Sequence, residues 1–397
     1  MSDTSGLPGE HPLSGDAGGR ARHIPRGERL AALDAFRGLT IAGMLLVNNP
    51  GTWSAVYPPL RHAAWHGWTP TDLIFPFFLF IVGITTHLSL ASRERRGDPP
   101  GAITRQVLRR GGLIVLFGLL LGAFPFFPLD QLAHARIPGV LQRIGVCYVA
   151  AAFLARGRSS SWVAGLAAVL LVGYWILLLV VPNPETGVAT WDVPDATLTA
   201  WVDRTLLGGH LWSETGTWDP EGILSTIPAV GTCLLGVLAG RWLARPMPLA
   251  ERLNGLFAVG ALGIVLGSVW GWVFPVNKNL WTSSYVVLTA GLACTTLAVC
   301  LWAVDIHGWR RWARPFVTYG INPMIAYIGS GFLAGLLEVI QVPSAAGAAP
   351  LKHAIYEGAF ASWLAPVNAS LAYAVAFVAV WYGILLVLER KNLIFRL

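Results

Sequence analysis

Residues 69–91 read TPTDLIFPFFLFIVGITTHLSLA. The stretch opens as a helix start, with Thr69 at the N-cap, Pro70 at the first helical position where a missing N–H costs nothing, and Asp72 at the third, near the positive end of the helix. From Leu73 to Ala91 no Asp, Glu, Lys or Arg interrupts it. A run of this length matches the roughly 20 apolar residues that cross a bilayer core. The pattern recurs near 33–50, 109–127, 138–155, 161–181, 222–243, 253–274, 281–304, 315–339 and 366–388. The fold expected is all-α: a polytopic membrane protein with about ten transmembrane helices.

Composition points the same way. Apolar residues make up 54% of the 397 and charged residues 12%, against about 45–50% and about 25% in soluble domains. A soluble globular enzyme, a collagen-like chain, a disordered chain and a disulfide-stapled secreted domain are all excluded. Cys147, Cys233, Cys294 and Cys300 lie within apolar runs and form no CxxC or Cys/His spacing, so no metal site is expected. Residues 1–28 are rich in Gly, Pro, Ser and Asp without an apolar core segment, which reads as a disordered tail and not as a signal peptide.

Ten spans put both termini on one side. If that side is the cytoplasm, 22 of the 28 Lys and Arg residues fall in cytoplasmic segments, as the positive-inside rule requires. The formal net charge of +7 is scattered in short clusters between apolar runs and not on one continuous face, so nucleic acid is not an expected partner and the lipid bilayer is. The outer side then receives segments 51–71, 182–221 and 275–280. Loop 182–221 combines seven acidic residues, Asp192 and Glu221 among them, with Trp191, Trp201, Trp212 and Trp218. Indole faces stack on sugar rings and attract cations, so this loop suits a sugar or a cationic amine; an aromatic belt with solvated charges is the structural alternative.

Polar groups inside or capping apolar runs are costly in hydrocarbon and therefore mark candidate sites. Asp34 and Arg37 stand three apart at the start of the first helix and can pair, either to fix the helix or to bind an anion. Asn48 and Asn49 end that helix just before Pro50. His62, Trp65 and His66 precede the helix start at Thr69, whose positive end favours the neutral, basic form of a nearby imidazole. Gln142 and Arg143 enter an apolar helix and need partners inside the bundle, Asp130 being one candidate. Asn277, Lys278, Asn279 and Trp281 form a short outer turn, and Asn322-Pro323 breaks the ninth span.

Read in order, these segments resemble the transmembrane acyltransferase family that includes lysosomal heparan-α-glucosaminide N-acetyltransferase and its bacterial relatives. The matching stretches are residues 33–39, 44–48, 62–68 with 72–76, 136–145, 219–224 and 275–285. The resemblance implies a transmembrane acyltransferase domain over 29–397, with 1–28 as a cytoplasmic tail and 182–221 as an outer loop. It implies an enzyme of a bacterial inner membrane that takes acetyl from cytoplasmic acetyl-CoA and acetylates the amine of a terminal glucosamine-like sugar on the outer side. The family's active-site histidine falls on His62 and its active-site asparagine on Asn48. Donor contacts are expected from Arg37, Asp34, Arg143 and Gln142, and acceptor contacts from His66, Trp65, Asp72, Asn277, Lys278, Asn279, Trp281 and Glu221. One departure is that the family usually reads His-x-x-Trp-Asn-Gly, where this chain has His66 in place of the Asn. A homodimer is left open, and an amino-sugar transporter is the rival reading.

Overall fold

A computed structural model describes residues 31–127, 129–344 and 347–395; the expected tail 1–28 lies outside the described residues. Helix α1 (Ala31–Asn48) leads into a loop with two 3₁₀ turns, Pro58–Leu60 and Pro70–Leu73, followed by α2 (Ile74–Arg95), α3 (Pro100–Gly122), α4 (Val140–Ala155) and α5 (Ser160–Val180). A long loop carrying the short α6 (Leu198–Leu207) precedes α7 (Thr226–Leu243), α8 (Leu249–Trp270) and α9 (Ser283–Cys300), which runs on into a π-helical turn, Leu301–Ile306. Next come α10 (Arg310–Ile321), α11 (Pro323–Val339), a hairpin of β1 (Gln341–Ser344) and β2 (Gly347–Pro350), α12 (Leu351–Tyr356) and α13 (Pro366–Arg390).

The helix start at Thr69 forms as its sequence requires. Asp72 Oδ2 accepts the Thr69 backbone N–H at 3.0 Å, and the Pro70–Leu73 turn passes directly into α2. Helix α2 is the hub of the bundle. Its Phe80, Ile81 and Ile84 pack with Phe36 of α1 and Leu297 of α9, while its Phe75 and Leu79 pack with Ile144 of α4 and Leu234 of α7. Contact with α7 is close enough that a methyl on Gly236 would overlap the Phe80 carbonyl, and one on Gly83 the Cys233 carbonyl. Here the glycines let two backbones touch, which in lipid replaces the hydrophobic drive to associate.

Lipid-facing surfaces are equally plain. Among the most hydrophobic 18-residue stretches, that of α5 is 28% buried and that of α8 is 22% buried, so Val169, Val180, Val259, Leu262 and Val265 stay uncovered. Only an apolar solvent tolerates such faces. The chain is an all-α, multi-pass membrane protein.

The span count differs from the sequence reading. Among the described residues seven helices are long and apolar enough to cross a membrane, and eight if α10 and α11, bent by 76° at Asn322, form one broken span. Helix α3 carries Arg105, Arg109 and Arg110 in its first half, and α4 has 16 residues, about 24 Å of helix against a core of about 30 Å. The break at Asn322 is braced by its own side chain, which donates to the Leu393 carbonyl at 3.0 Å and accepts the Phe395 N–H at 3.0 Å.

Candidate active site

The three segments expected together on the outer side do converge. Gly67 N–H donates to the Val276 carbonyl at 2.7 Å, and Trp65 Nε1–H to the Trp191 carbonyl at 2.8 Å. Between them lies His62. Its loop is held in place by Arg61 Nε donating to the Val56 carbonyl at 2.8 Å and Thr69 Oγ1 donating to the Arg61 carbonyl at 2.6 Å.

Asp72, only 1% exposed, faces this loop from the start of α2. Its Oδ2 accepts the Ala63 N–H (3.0 Å) and the Thr69 N–H (3.0 Å), while Oδ1 lies 2.6 Å from His62 Nδ1. An ionised carboxylate only accepts, so Nδ1 carries a proton, and in the neutral ring Nε2 holds the lone pair. The position read as an acceptor contact is therefore the residue that orients the histidine.

Lys278 completes the cluster. Its turn is built by Asn277, fully buried, whose Oδ1 accepts the Leu280 N–H at 2.9 Å and whose Nδ2 lies 3.3 Å from His66 Nδ1. The Lys278 ammonium stands 3.1 Å from His62 Nδ1, 3.3 Å from His62 Nε2 and 3.9 Å from Asp72 Oδ1. Burial pulls the Lys278 pKa below its ordinary value, opposed by the charges of Glu221 and Asp72.

His62, Asn48, Lys278 and Glu221 open onto one cavity, which continues between apolar walls from Met44 and Val47 of α1, Ile74, Phe75 and Phe78 of α2, and Val140 and Ile144 of α4. On α1, Arg37, Thr40, Met44 and Asn48 follow at intervals of three and four, which puts them on one helical stripe. Thr40, Met44 and Asn48 line the cavity. Arg37 lies further along, its Nη1 donating to Asp34 Oδ1 at 3.1 Å and to the Gly320 carbonyl at 2.9 Å.

Loop 182–221 is wired to the cavity through Glu221. Arg136 donates to Asp219 Oδ2 at 2.8 Å and also to Glu221, while Asp219 accepts the Trp212 and Glu221 N–H groups at 3.1 and 2.9 Å. Asp203 of α6 accepts the Ile223 N–H at 2.9 Å and the Asp219 N–H at 3.3 Å, and burial pushes its carboxyl up to about 6. Sequence reading missed the Arg136–Asp219 pair, because 83 residues separate its members and neither stands out alone.

Other expected site residues lie apart. Arg143 is 2% exposed, donates from Nη2 to the Gly222 carbonyl at 2.9 Å and stacks over Trp281 at 5.2 Å; it joins α4 to the segment before α7 and is not among the cavity-lining residues. The side chain of Asp130, its expected partner, lies outside the described residues. Gln142 packs against Gly118 of α3. Trp281 is fully buried, with Nε1–H donating to Thr232 Oγ1 at 3.0 Å and Phe75 edge-on at 4.8 Å, so its ring cannot meet an acceptor. His66, its Nε2 at 3.0 Å from Asp192 Oδ1, and Trp65, edge-on to Trp218 at 5.1 Å, share the loop of His62 without being among the cavity-lining residues. Half-buried Asn279 follows Lys278 in the same turn.

The sequence matches the family model described as heparan-alpha-glucosaminide N-acetyltransferase, catalytic, over residues 29–265. It is 33% identical over 374 residues to human heparan-alpha-glucosaminide N-acetyltransferase and 32% identical over 371 to the mouse protein of that name, each alignment covering 80% of this chain and 55% of the relative. The chain thus spans about half the length of the curated relatives it matches. Since the family match begins just before α1 and runs into α8, through the helices and the loop that supply His62, Asn48, Asp72 and Glu221, the chain belongs to the heparan-alpha-glucosaminide N-acetyltransferase family.

Proposed function

We propose that the chain is a membrane acetyltransferase that moves acetyl from acetyl-CoA to the amine of a terminal amino sugar. The observation that carries this reading is the 2.6 Å contact between Asp72 and His62 Nδ1 in a cavity shared with Asn48. An amino-sugar ammonium must lose a proton before its nitrogen can attack a thioester. His62 Nε2, which holds the lone pair in the neutral tautomer that Asp72 selects, is the base that takes it. The Asn48 side-chain amide donates to the oxyanion that forms as the nitrogen adds, a role typically worth about 3–4 kcal/mol.

The cavity's polar end receives the sugar, where Glu221 offers a hydrogen-bond partner and the loop of His62 brings Trp65 and His66. The apolar length leading toward Arg37 suits the thioester arm of the donor, which enters from the end of α1 where Arg37 and the arginines between Arg93 and Arg110 supply positive charge for phosphates. In the ten-span reading of the sequence 22 of 28 cationic residues fall on that side, which supports its being the cytoplasmic face of a bacterial inner membrane with both termini there. Purified protein in detergent, supplied with labelled acetyl-CoA and glucosamine, should form N-acetylglucosamine. A carrier has no compartments to connect in detergent and gives no product, so unchanged glucosamine beside well-folded protein refutes the proposal.

A further inference from the structure

The cavity already contains a primary amine. The three lysines of the chain are Lys278, Lys352 and Lys391, and Lys278 alone lines the space shared by His62 and Asn48. Its nitrogen stands 3.1 Å from His62 Nδ1 and 3.3 Å from Nε2, against the ring that would take a proton from an acceptor amine, so a small turn of the imidazole aims Nε2 at it. Its side chain is 16% exposed, so the nitrogen is largely shielded from water.

We propose that Lys278 is a self-acetylation site: when donor is present without acceptor, the Lys278 amine takes the acetyl group and the enzyme closes its own active site. The inference rests on the acetyltransferase reading above. Lys278 Nζ gives a proton to His62 Nε2 and attacks the thioester carbonyl carbon; the C–N bond forms, the C–S bond breaks, and the CoA thiolate leaves. One of the two protons lost from nitrogen ends on the CoA sulfur and the other passes through His62 to solvent. No oxidant or further reactant is needed. Burial, by lowering the Lys278 pKa, raises the fraction of neutral amine available for this attack, while Asp72, 3.9 Å away, favours the cation and keeps the reaction slow.

The product differs from every productive intermediate. An amide does not return its acetyl to an amine, and acetylation removes the positive charge. The acetyl group then fills the space beside His62 that an acceptor needs. A bound amino sugar competes for His62 Nε2, so acceptor protects the lysine.

The test incubates the full chain in detergent with isotopically labelled acetyl-CoA, with and without glucosamine, then maps the label by peptide mass spectrometry and measures residual transfer. Expected are up to one acetyl per chain, on Lys278 and not on Lys352 or Lys391, loss of transfer in proportion to label, and at least about tenfold slower labelling with glucosamine. Lys278→Arg, which keeps a cation, takes no label and is not inactivated by donor preincubation; His62→Gln with Lys278 intact labels far more slowly. Transfer to glucosamine beside an unlabelled Lys278 overturns this inference and leaves the acetyltransferase reading standing. Equal label on all three lysines means ordinary chemical acetylation and overturns it too. Absence of both transfer and label overturns both.

Discussion

Replacing Asp72 with Asn separates the two tasks of that carboxylate. Two of its hydrogen bonds, from Ala63 N–H and Thr69 N–H, converge on Oδ2, and only Oδ1 meets His62. An Asn that turns its carbonyl oxygen to the Oδ2 position keeps the loop and helix-start contacts. Its NH₂ then points at His62 Nδ1 and can only donate, so the ring proton must move to Nε2. The base lone pair is thereby withdrawn from the cavity. General-base catalysis contributes about 10²–10⁴ in rate, which is roughly 2.7–5.5 kcal/mol of barrier. Turnover of labelled acetyl-CoA at saturating glucosamine should therefore fall at least about a hundredfold, with a melting temperature close to wild type and unchanged donor affinity. A folded Asp72→Asn protein with kcat within about threefold of wild type would show that Asp72 does not set the histidine's tautomer.

His62→Ala should likewise cost at least about a hundredfold in turnover while donor binding persists; His66→Asn, which restores the family's usual residue, should keep substantial activity, and the reverse pattern overturns the assignment. Arg136→Met leaves Asp219, whose side chain is fully buried, and Glu221 without their cation; a loss of about 3–5 kcal/mol is expected, read as a lower melting temperature or lost expression. Asp203 titrates near 6 when folded against an ordinary value of 3.8, so between these values the folded state holds more protons and stability falls as pH rises, by about 3 kcal/mol from this group. Thermal melts across pH 4 to 6.5 should show that slope, and Asp203→Asn should flatten it.

How much of this was legible in the sequence depended on separation along the chain. The start of α2 was readable because Thr69, Pro70 and Asp72 act within one turn, and the Asn322 break because proline acts on its own neighbours. Helix α3 begins at Pro100, nine residues before the expected apolar segment, because its arginine-bearing turns are helical without being apolar. Helix α6 and the β1–β2 hairpin lie in loops whose composition carries no membrane signal. Asp72 showed its helix-start role and hid its pairing with His62, since one carboxylate serves both. Arg143 and Trp281 were polar or aromatic in the right segments, yet their burial, visible only in three dimensions, ties them to packing. The cavity itself joins α1, α2, α4, α11 and three loops, and its lining residue Tyr327 had no local signature.

The most direct test of the central claim uses sealed proteoliposomes with labelled acetyl-CoA outside and glucosamine trapped inside. Wild-type protein oriented with the Arg37 end of α1 outward should accumulate labelled N-acetylglucosamine in the lumen while acetyl-CoA stays outside, and His62→Ala should accumulate none. Glucosamine that crosses unmodified, or product that forms equally in the His62→Ala vesicles, contradicts the account.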